Sequence, residues 1–306
     1  MKYIKGIIFL TIIALLFSAC GGNGEQGEGS GSAYIEVSGS DTEVNLAQNL
    51  AEAYMEKNPD VSISVTGGGS GTGIAAIINR QTDIANSSRN MSESEIQQAL
   101  DNGVEPVGTA FAMDGLAVVV NADNPVEELT MEEVSKIYQA EITNWSEVGG
   151  DDQSIDLYGR QSNSGTYVYF RENVIDAEYA SRMRNMNGTS QIVEAIRSGS
   201  SGIGYVGIGY AVDGGNVRDG LKVVSIAPDA DSEAITPVEF ENVADGSYPI
   251  SRPLYQFTNG VPEGTIRDFL EFELSEEGQE IVRQSGYYPV TDEYREQNQI
   301  LTDTES

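Results

Sequence analysis

The strongest constraint on the fold is a rhythm. Short strand-like runs alternate with segments of helical periodicity through most of the 306-residue chain. At three strand-to-helix joints the turn is built from glycine and hydroxyl residues: Gly39-Ser40-Asp41-Thr42, Gly69-Ser70-Gly71-Thr72 and Asn163-Ser164-Gly165-Thr166. A helix start leaves about four backbone N–H groups without partners and carries a partial positive charge. Serine and threonine add rotatable O–H donors there, and glycine lets a ligand approach the backbone closely. One such cap is ordinary. Three in one chain predict convergence on a single small oxyanion.

The alternation reads in detail as follows. Tyr34–Val37 is a strand, and Val44, Leu46, Ala47, Leu50, Ala51 and Tyr54 recur at helical spacing up to Lys57, where Asn58-Pro59 ends the run. Val61–Val65 is a strand before the second turn, with a helix over Ile74–Asn79, and Asp83–Ala85 is a further short strand. Ser92–Glu95 and Thr130–Glu133 have the form of capping boxes, opening helices to Leu100 and Tyr138. Strands are expected at 104–109, 116–120, 155–158, 204–206 and 221–225, and helices at 167–173, 191–197, 265–274 and 276–284. This order favours an α/β fold with largely parallel sheets, in which ligands bind beyond the carboxyl ends of the strands. All three turns occupy that position.

Gly67 to Gly73 (GGGSGTG) lacks the lysine of a Walker loop, and its last glycine falls one residue early for a dinucleotide fingerprint. A free tetrahedral oxyanion fits it better than a nucleotide. Arg160, four residues before Ser164, offers a rigid fork of donors suited to such an anion. Asp83 has an ordinary reading as a cap or as a partner of Arg89. In an anion pocket it has a sharper one, because a carboxylate accepts hydrogen bonds and so selects an anion that still carries a proton.

The ends and the composition narrow the setting. Lys2 and Lys5 precede an apolar run from Gly6 to Phe17 that is too short for an ordinary transmembrane helix. It ends in Phe17-Ser18-Ala19-Cys20, which resembles the lipobox of bacterial lipoproteins; a plain secretory signal is the other reading. Residues 1–19 would then be a signal peptide and Cys20, the only cysteine, a lipidated anchor, which leaves no disulfide. The Gly/Ser/Glu-rich segment up to residue 33 is a flexible spacer. The chain carries 48 acidic against 17 basic residues, net −31, and losing Lys2 and Lys5 deepens this to −33. Such a surface repels nucleic acid and gives an anion no long-range attraction.

Several of these segments together resemble the phosphate-binding protein of the bacterial high-affinity phosphate ABC transporter. They are Gly39–Thr42, the segment from Val65 to Gly73, Thr82–Ala85 with Ser88-Arg89, Asp114–Val120 and Ile142–Trp145. Gly159-Arg160 with Ser164–Thr166, Ile203–Val206 and Tyr248–Tyr255 complete the series, which runs in family order from about Tyr34 to Pro289. The resemblance implies a two-lobed periplasmic-binding-protein fold of type II, with the ligand in the interlobe cleft and capture by hinge closure. Lobe 1 would comprise 34–114 plus 251–301 and lobe 2 115–250, followed by an acidic tail at 302–306. The family's ligand contacts fall on Thr42, the backbone N–H of Glu43, Ser70, Asp83 as the proton-accepting carboxylate, Arg160, Ser164, the N–H of Gly165, and Thr166. Ser40 is close enough to add a donor. Some relatives hold the arginine with an acid two positions later; Ser162 stands there, which leaves open what supports Arg160.

The resulting expectation is a monomeric, lipid-anchored receptor at the cell envelope. It would bind inorganic phosphate and hand it to the permease of an ABC transporter, without cofactor, metal or nucleic acid. A receptor for sulfate or molybdate is the first alternative, and a phosphatase of similar fold the second. Histidine is absent, so no Ser–His triad is available, while a carboxylate-bound metal remains conceivable among 48 acids.

Overall fold

The computed structural model describes residues 33–298; the leader, Cys20 and the expected acidic tail lie outside the described residues. Along the chain the strands are β1 (Ala33–Gly39), β2 (Val61–Thr66), β3 (Ile84–Ser87), β4 (Pro106–Gly115), β5 (Ala117–Asn121), β6 (Glu128–Thr130) and β7 (Asp156–Arg160). They continue as β8 (Arg184–Met186), β9 (Gly202–Val206), the small pair β10 (Val212–Asp213) and β11 (Asn216–Val217), β12 (Leu221–Ala227), β13 (Ser251–Asn259) and β14 (Tyr288–Pro289). Helix α1 (Val44–Lys57) follows β1 and α2 (Ser70–Ile78) follows β2.

Two six-stranded sheets result, in the orders β14-β4-β13-β3-β1-β2 and β6-β12-β5-β9-β7-β8. The chain passes from the first to the second at Leu116 and returns at Ile250–Ser251, and the Leu116 N–H donates to the Ile250 carbonyl at 2.9 Å. The two crossings are thus bonded side by side.

The sheets are mixed rather than largely parallel. β1 pairs parallel with β2 and β3, but β13 runs antiparallel to both β3 and β4. In the second sheet β5 is antiparallel to both β12 and β9. In each sheet a strand beside a chain crossing, β13 in the first and β5 in the second, runs against both of its neighbours. β13 escapes a sequence reading because Pro253 argues against a central strand. It is tolerated where β13 pairs on one side only, since the β3 partners begin at Tyr255.

The elements form for the reasons their patterns suggest. On α1 the buried side chains are Leu46, Ala47, Leu50, Ala51 and Tyr54. Burying a leucine such as Leu50 stabilises by roughly 2 kcal/mol. Both capping boxes are present, Ser92 with Glu95 and Thr130 with Glu133. Every residue of β5 is buried, so its Ala-Val-Val-Val run is that of a central strand covered on both faces. The carboxyl ends of β1, β2, β3 and β7 then carry the turns of interest to one place between the sheets.

Candidate functional site

Four hydroxyls meet where the two sheets face each other. Thr42 Oγ1, from the first turn, lies 2.8 Å from Thr166 Oγ1 of the third. Ser88 Oγ, just past β3, lies 3.3 Å from Thr166 Oγ1 and 3.3 Å from Ser70 Oγ. The Ser88 N–H also donates to Ser70 Oγ at 3.1 Å. All four side chains are buried. A hydroxyl donates one hydrogen and accepts two, so this cluster presents donors whose direction adapts to what they meet.

The turns that position the cluster differ in their duties. In the first, the Ser40 N–H donates to the Asn86 carbonyl at 2.9 Å, which ties the turn to β3. In the second, Gly69 has φ +95°, and a Cβ there would stand 2.8 Å from the Asn163 carbonyl oxygen. The Gly71 N–H donates to that same oxygen at 2.9 Å, and Asn163 Nδ2 donates to the Gly68 carbonyl at 2.8 Å. Gly69 and Gly71 therefore make room for Asn163 of the third turn. In the third turn Ser164 caps the helix Gly165–Phe170 by accepting from the Tyr167 N–H. Gly165 packs so close to lobe 1 that a Cβ would come within 2.8 Å of Ser88 Oγ.

Two buried arginines flank the hydroxyls. Arg160, at the end of β7, donates from Nη1 to Thr189 Oγ1 at 2.9 Å and from Nη2 to the Asn187 carbonyl at 3.1 Å and Asp41 Oδ2 at 2.5 Å. Its Nε–H is buried and has no protein partner. The support that Ser162 does not provide comes instead from Thr189, Asn187 and, across the cleft, Asp41. The second arginine, Arg252 at the start of β13, holds Asp114 Oδ2 with Nε at 3.1 Å and Nη2 at 2.9 Å. It also donates to the Ser88 carbonyl at 2.9 Å and to Thr166 Oγ1 at 3.0 Å. The remaining Asp114 oxygen accepts from the Ile208 N–H of the second lobe at 2.9 Å.

Of the residues expected from the sequence, Thr42 and Thr166 meet directly, Ser70 joins them through Ser88, Gly165 packs against Ser70 and Ser88, and Arg160 has an open donor. Ser40 and Ser164 are buried in the flanking turns. The Glu43 N–H lies 3.3 Å from the Ser40 carbonyl, a weak bond. The Glu43 side chain is buried and neither oxygen has a hydrogen bond of good geometry. Burial pushes its carboxyl well above the ordinary range near 4.5; Arg252 and the nearby Ser40 hydroxyl only partly oppose this, and Asp114 and Glu273 add to it. Burial at the turn beside the hydroxyl cluster thus favours the protonated form of the Glu43 carboxyl.

Asp83 is corrected. It precedes β3, where its Oδ2 accepts from the Glu36 N–H at 2.8 Å while its own N–H donates to the Glu36 carbonyl at 3.0 Å. This extends the β1–β3 pairing by one step at the end of β3 opposite the cluster. Five residue steps of extended chain separate it from Ser88, about 16 Å at strand rise. The sequence reading missed Ser88, Arg252, Asp114 and Asp41. Ser88 was within reach, because the rule that ligands gather at carboxyl ends of strands points past Ser87.

Among the described residues no group of three or more acidic, histidine or cysteine side chains is placed to hold a metal ion, and no helix is long and apolar enough to cross a membrane.

Comparison with known proteins places the chain in a family. Residues 24–277 match the model of a PBP superfamily domain. The chain is 32% identical to the phosphate-binding protein PstS of Bacillus subtilis over 307 residues, covering 95% of this chain and 96% of the relative. It is 31% identical to PstS of Staphylococcus saprophyticus, covering 95% and 91%. Among solved structures, a phosphate ABC transporter substrate-binding protein from Clostridium perfringens with bound phosphate superposes with a TM-score of 0.75 at 30% identity, covering 84% of this chain and all of that one. An ABC-type phosphate transport receptor from Vibrio cholerae gives 0.66 at 28% identity, with the same shares covered. The chain has the two-lobed fold of these proteins and belongs to the PBP superfamily and, within it, to the PstS family of phosphate-binding proteins.

Proposed function

We propose that this protein is an extracytoplasmic receptor that captures inorganic phosphate between its lobes and delivers it to the permease of an ABC transporter for import. The observation that carries the reading is the meeting of hydroxyls from both lobes beside Arg160, whose buried Nε–H has no protein partner. The phosphate contacts are assigned to Thr42, Ser70, Ser88, Arg160 and Thr166, with Ser40, Ser164 and the N–H groups of Glu43 and Gly165 around them. The lobes are taken as 34–114 with 251–301, and 115–250. Oriented, largely neutral donors inside a dry site hold an anion strongly without a cluster of fixed charge, which suits a receptor that must release its ligand. Salt limits the reach of the acidic exterior to roughly 8 Å at physiological ionic strength.

Selectivity follows from the hydroxyls now that Asp83 lies elsewhere. A serine or threonine oxygen accepts from a protonated phosphate oxygen and donates to a bare one, whereas sulfate at neutral pH offers no proton. Calorimetric titration of the purified protein with phosphate, arsenate and sulfate at two pH values tests this. Phosphate is expected to bind and to outcompete sulfate; absent phosphate binding, or sulfate binding as tight, would refute the reading. Anchoring through a lipid on Cys20 and a monomeric state complete the proposal. Cys20→Ser should release the protein from the membrane fraction, and continued retention would remove the anchor.

A further inference from the structure

We propose that Asp41 is the positioning residue of Arg160, supplied from the opposite lobe, so that the anion-binding arginine acquires its counter-ion only when the lobes meet. Everything that Arg160 contacts in its own lobe is uncharged: the Thr189 hydroxyl, the Asn187 carbonyl and, at its backbone N–H, the Tyr205 hydroxyl at 3.2 Å. Its carboxylate partner is Asp41 Oδ2, 119 residues earlier and in the turn that follows β1 of the other sheet. The arginine side chain is 2% exposed and that of Asp41 19%, so the pair is largely withdrawn from water where the lobes touch.

Asp41 is held ready for this role within lobe 1. Its Oδ1 accepts from the Gly68 N–H at 3.3 Å, and a Cβ on Gly67 would come within 2.6 Å of that oxygen. Its backbone carbonyl accepts from Tyr210 Oη of the second lobe at 2.7 Å. One residue therefore receives two ties from lobe 2, one charged and one neutral, while its neighbour Thr42 meets Thr166 in the hydroxyl cluster. Asp41 and Asn187 take the Nη2 hydrogens and Thr189 one of Nη1, so the fork is held in place with Nε–H free for the anion. With the lobes apart the guanidinium keeps its full charge among neutral partners, which favours capture. Contact with Asp41 then locks its orientation and offsets part of that charge.

This inference rests on the phosphate-receptor reading, and its test separates the two. Asp41→Asn keeps an acceptor for Gly68 and removes only the charge. Truncating one member of a buried charged pair acts mainly on dissociation, whereas exposed rim charges act on association. Rapid-mixing measurements of phosphate binding should therefore show Asp41→Asn releasing phosphate about tenfold faster, with association altered less than about threefold. Asp41→Glu should recover part of the loss. Tyr210→Phe, which cuts the neutral tie alone, should speed release by a smaller factor. Small-angle scattering in phosphate-free buffer should give Asp41→Asn a larger radius of gyration than the parent. Unchanged release together with an unchanged radius would overturn the role of Asp41. If the parent itself fails to bind phosphate, the receptor reading falls, and scattering alone decides the latch.

Discussion

The two buried arginine–aspartate pairs have the same chemistry and opposite placement. Arg252 and Asp114 lie on adjacent strands beside the chain crossings, 1% and 0% exposed, and the guanidinium Nε, Nη1 and Nη2 all have protein acceptors. Arg160 and Asp41 face each other across the cleft, and the arginine retains an open Nε–H. The first pair is joined within lobe 1 on paired strands, so its failure falls on folding stability. On the proposed closure the second pair can part and resolvate, so its failure falls on ligand affinity. Placement, not chemistry, divides structural from functional charge in this molecule.

Breaking the first pair is expected to have the largest effect. Asp114→Asn leaves Arg252 buried without a counter-ion and should cost about 3–5 kcal/mol, read as a lower urea midpoint. Breaking the second at its arginine should show the reverse profile. Arg160→Met is predicted to weaken phosphate binding by at least about 100-fold, since charge-assisted bonds are the strong ones. Its unfolding midpoint should stay close to that of the parent, and titration with parallel denaturation checks both. Equal stability losses in the two variants would abolish the distinction.

Glu43, which lies near the first pair, sharpens it through pH. Its carboxyl keeps its proton in the folded protein well above the ordinary range near 4.5, mainly because it is buried. The unfolded chain releases that proton earlier, so it binds fewer protons than the folded state and stability falls as pH rises. The stabilising contribution of the neutral form is complete below pH 4.5 and disappears as pH climbs through the raised value. Glu43→Gln should therefore gain thermal stability relative to the parent at pH 8 and gain little at pH 5. Glu273, buried and likewise raised by burial, adds a slope of the same sign, so the comparison is made between variants rather than on the parent alone. The smallest effect belongs to Asp83→Asn, which should leave the phosphate-over-sulfate preference unchanged and shift stability by less than about 1 kcal/mol.

These comparisons also show what a sequence discloses. The three turns, the two capping boxes and the buried face of α1 are local, and local spacing reveals them. That the turns sit at carboxyl ends of strands is legible too, and the same rule points to Ser88, after β3, rather than to Asp83, before it. The pairing of Asp41 with Arg160 spans 119 residues and that of Asp114 with Arg252 spans 138, so neither leaves a local pattern. The glycines of GGGSGTG suggest room for a ligand. Gly69 and Gly71 are room for Asn163, a distinction that depends on how close the second lobe comes. Pro253 hid a strand because its one-sided pairing is decided by the return of the chain, not by its neighbours.

The central claim is that one anion site is built jointly by hydroxyls of both lobes. The most direct measurement is phosphate affinity of Thr42→Val, Thr166→Val and the double variant, by calorimetry under one set of conditions. Each single change should weaken binding by about tenfold, and the double should fall short of the product, because the two hydroxyls are bonded to each other at 2.8 Å. Affinity unchanged in either single variant would contradict a site shared between the lobes.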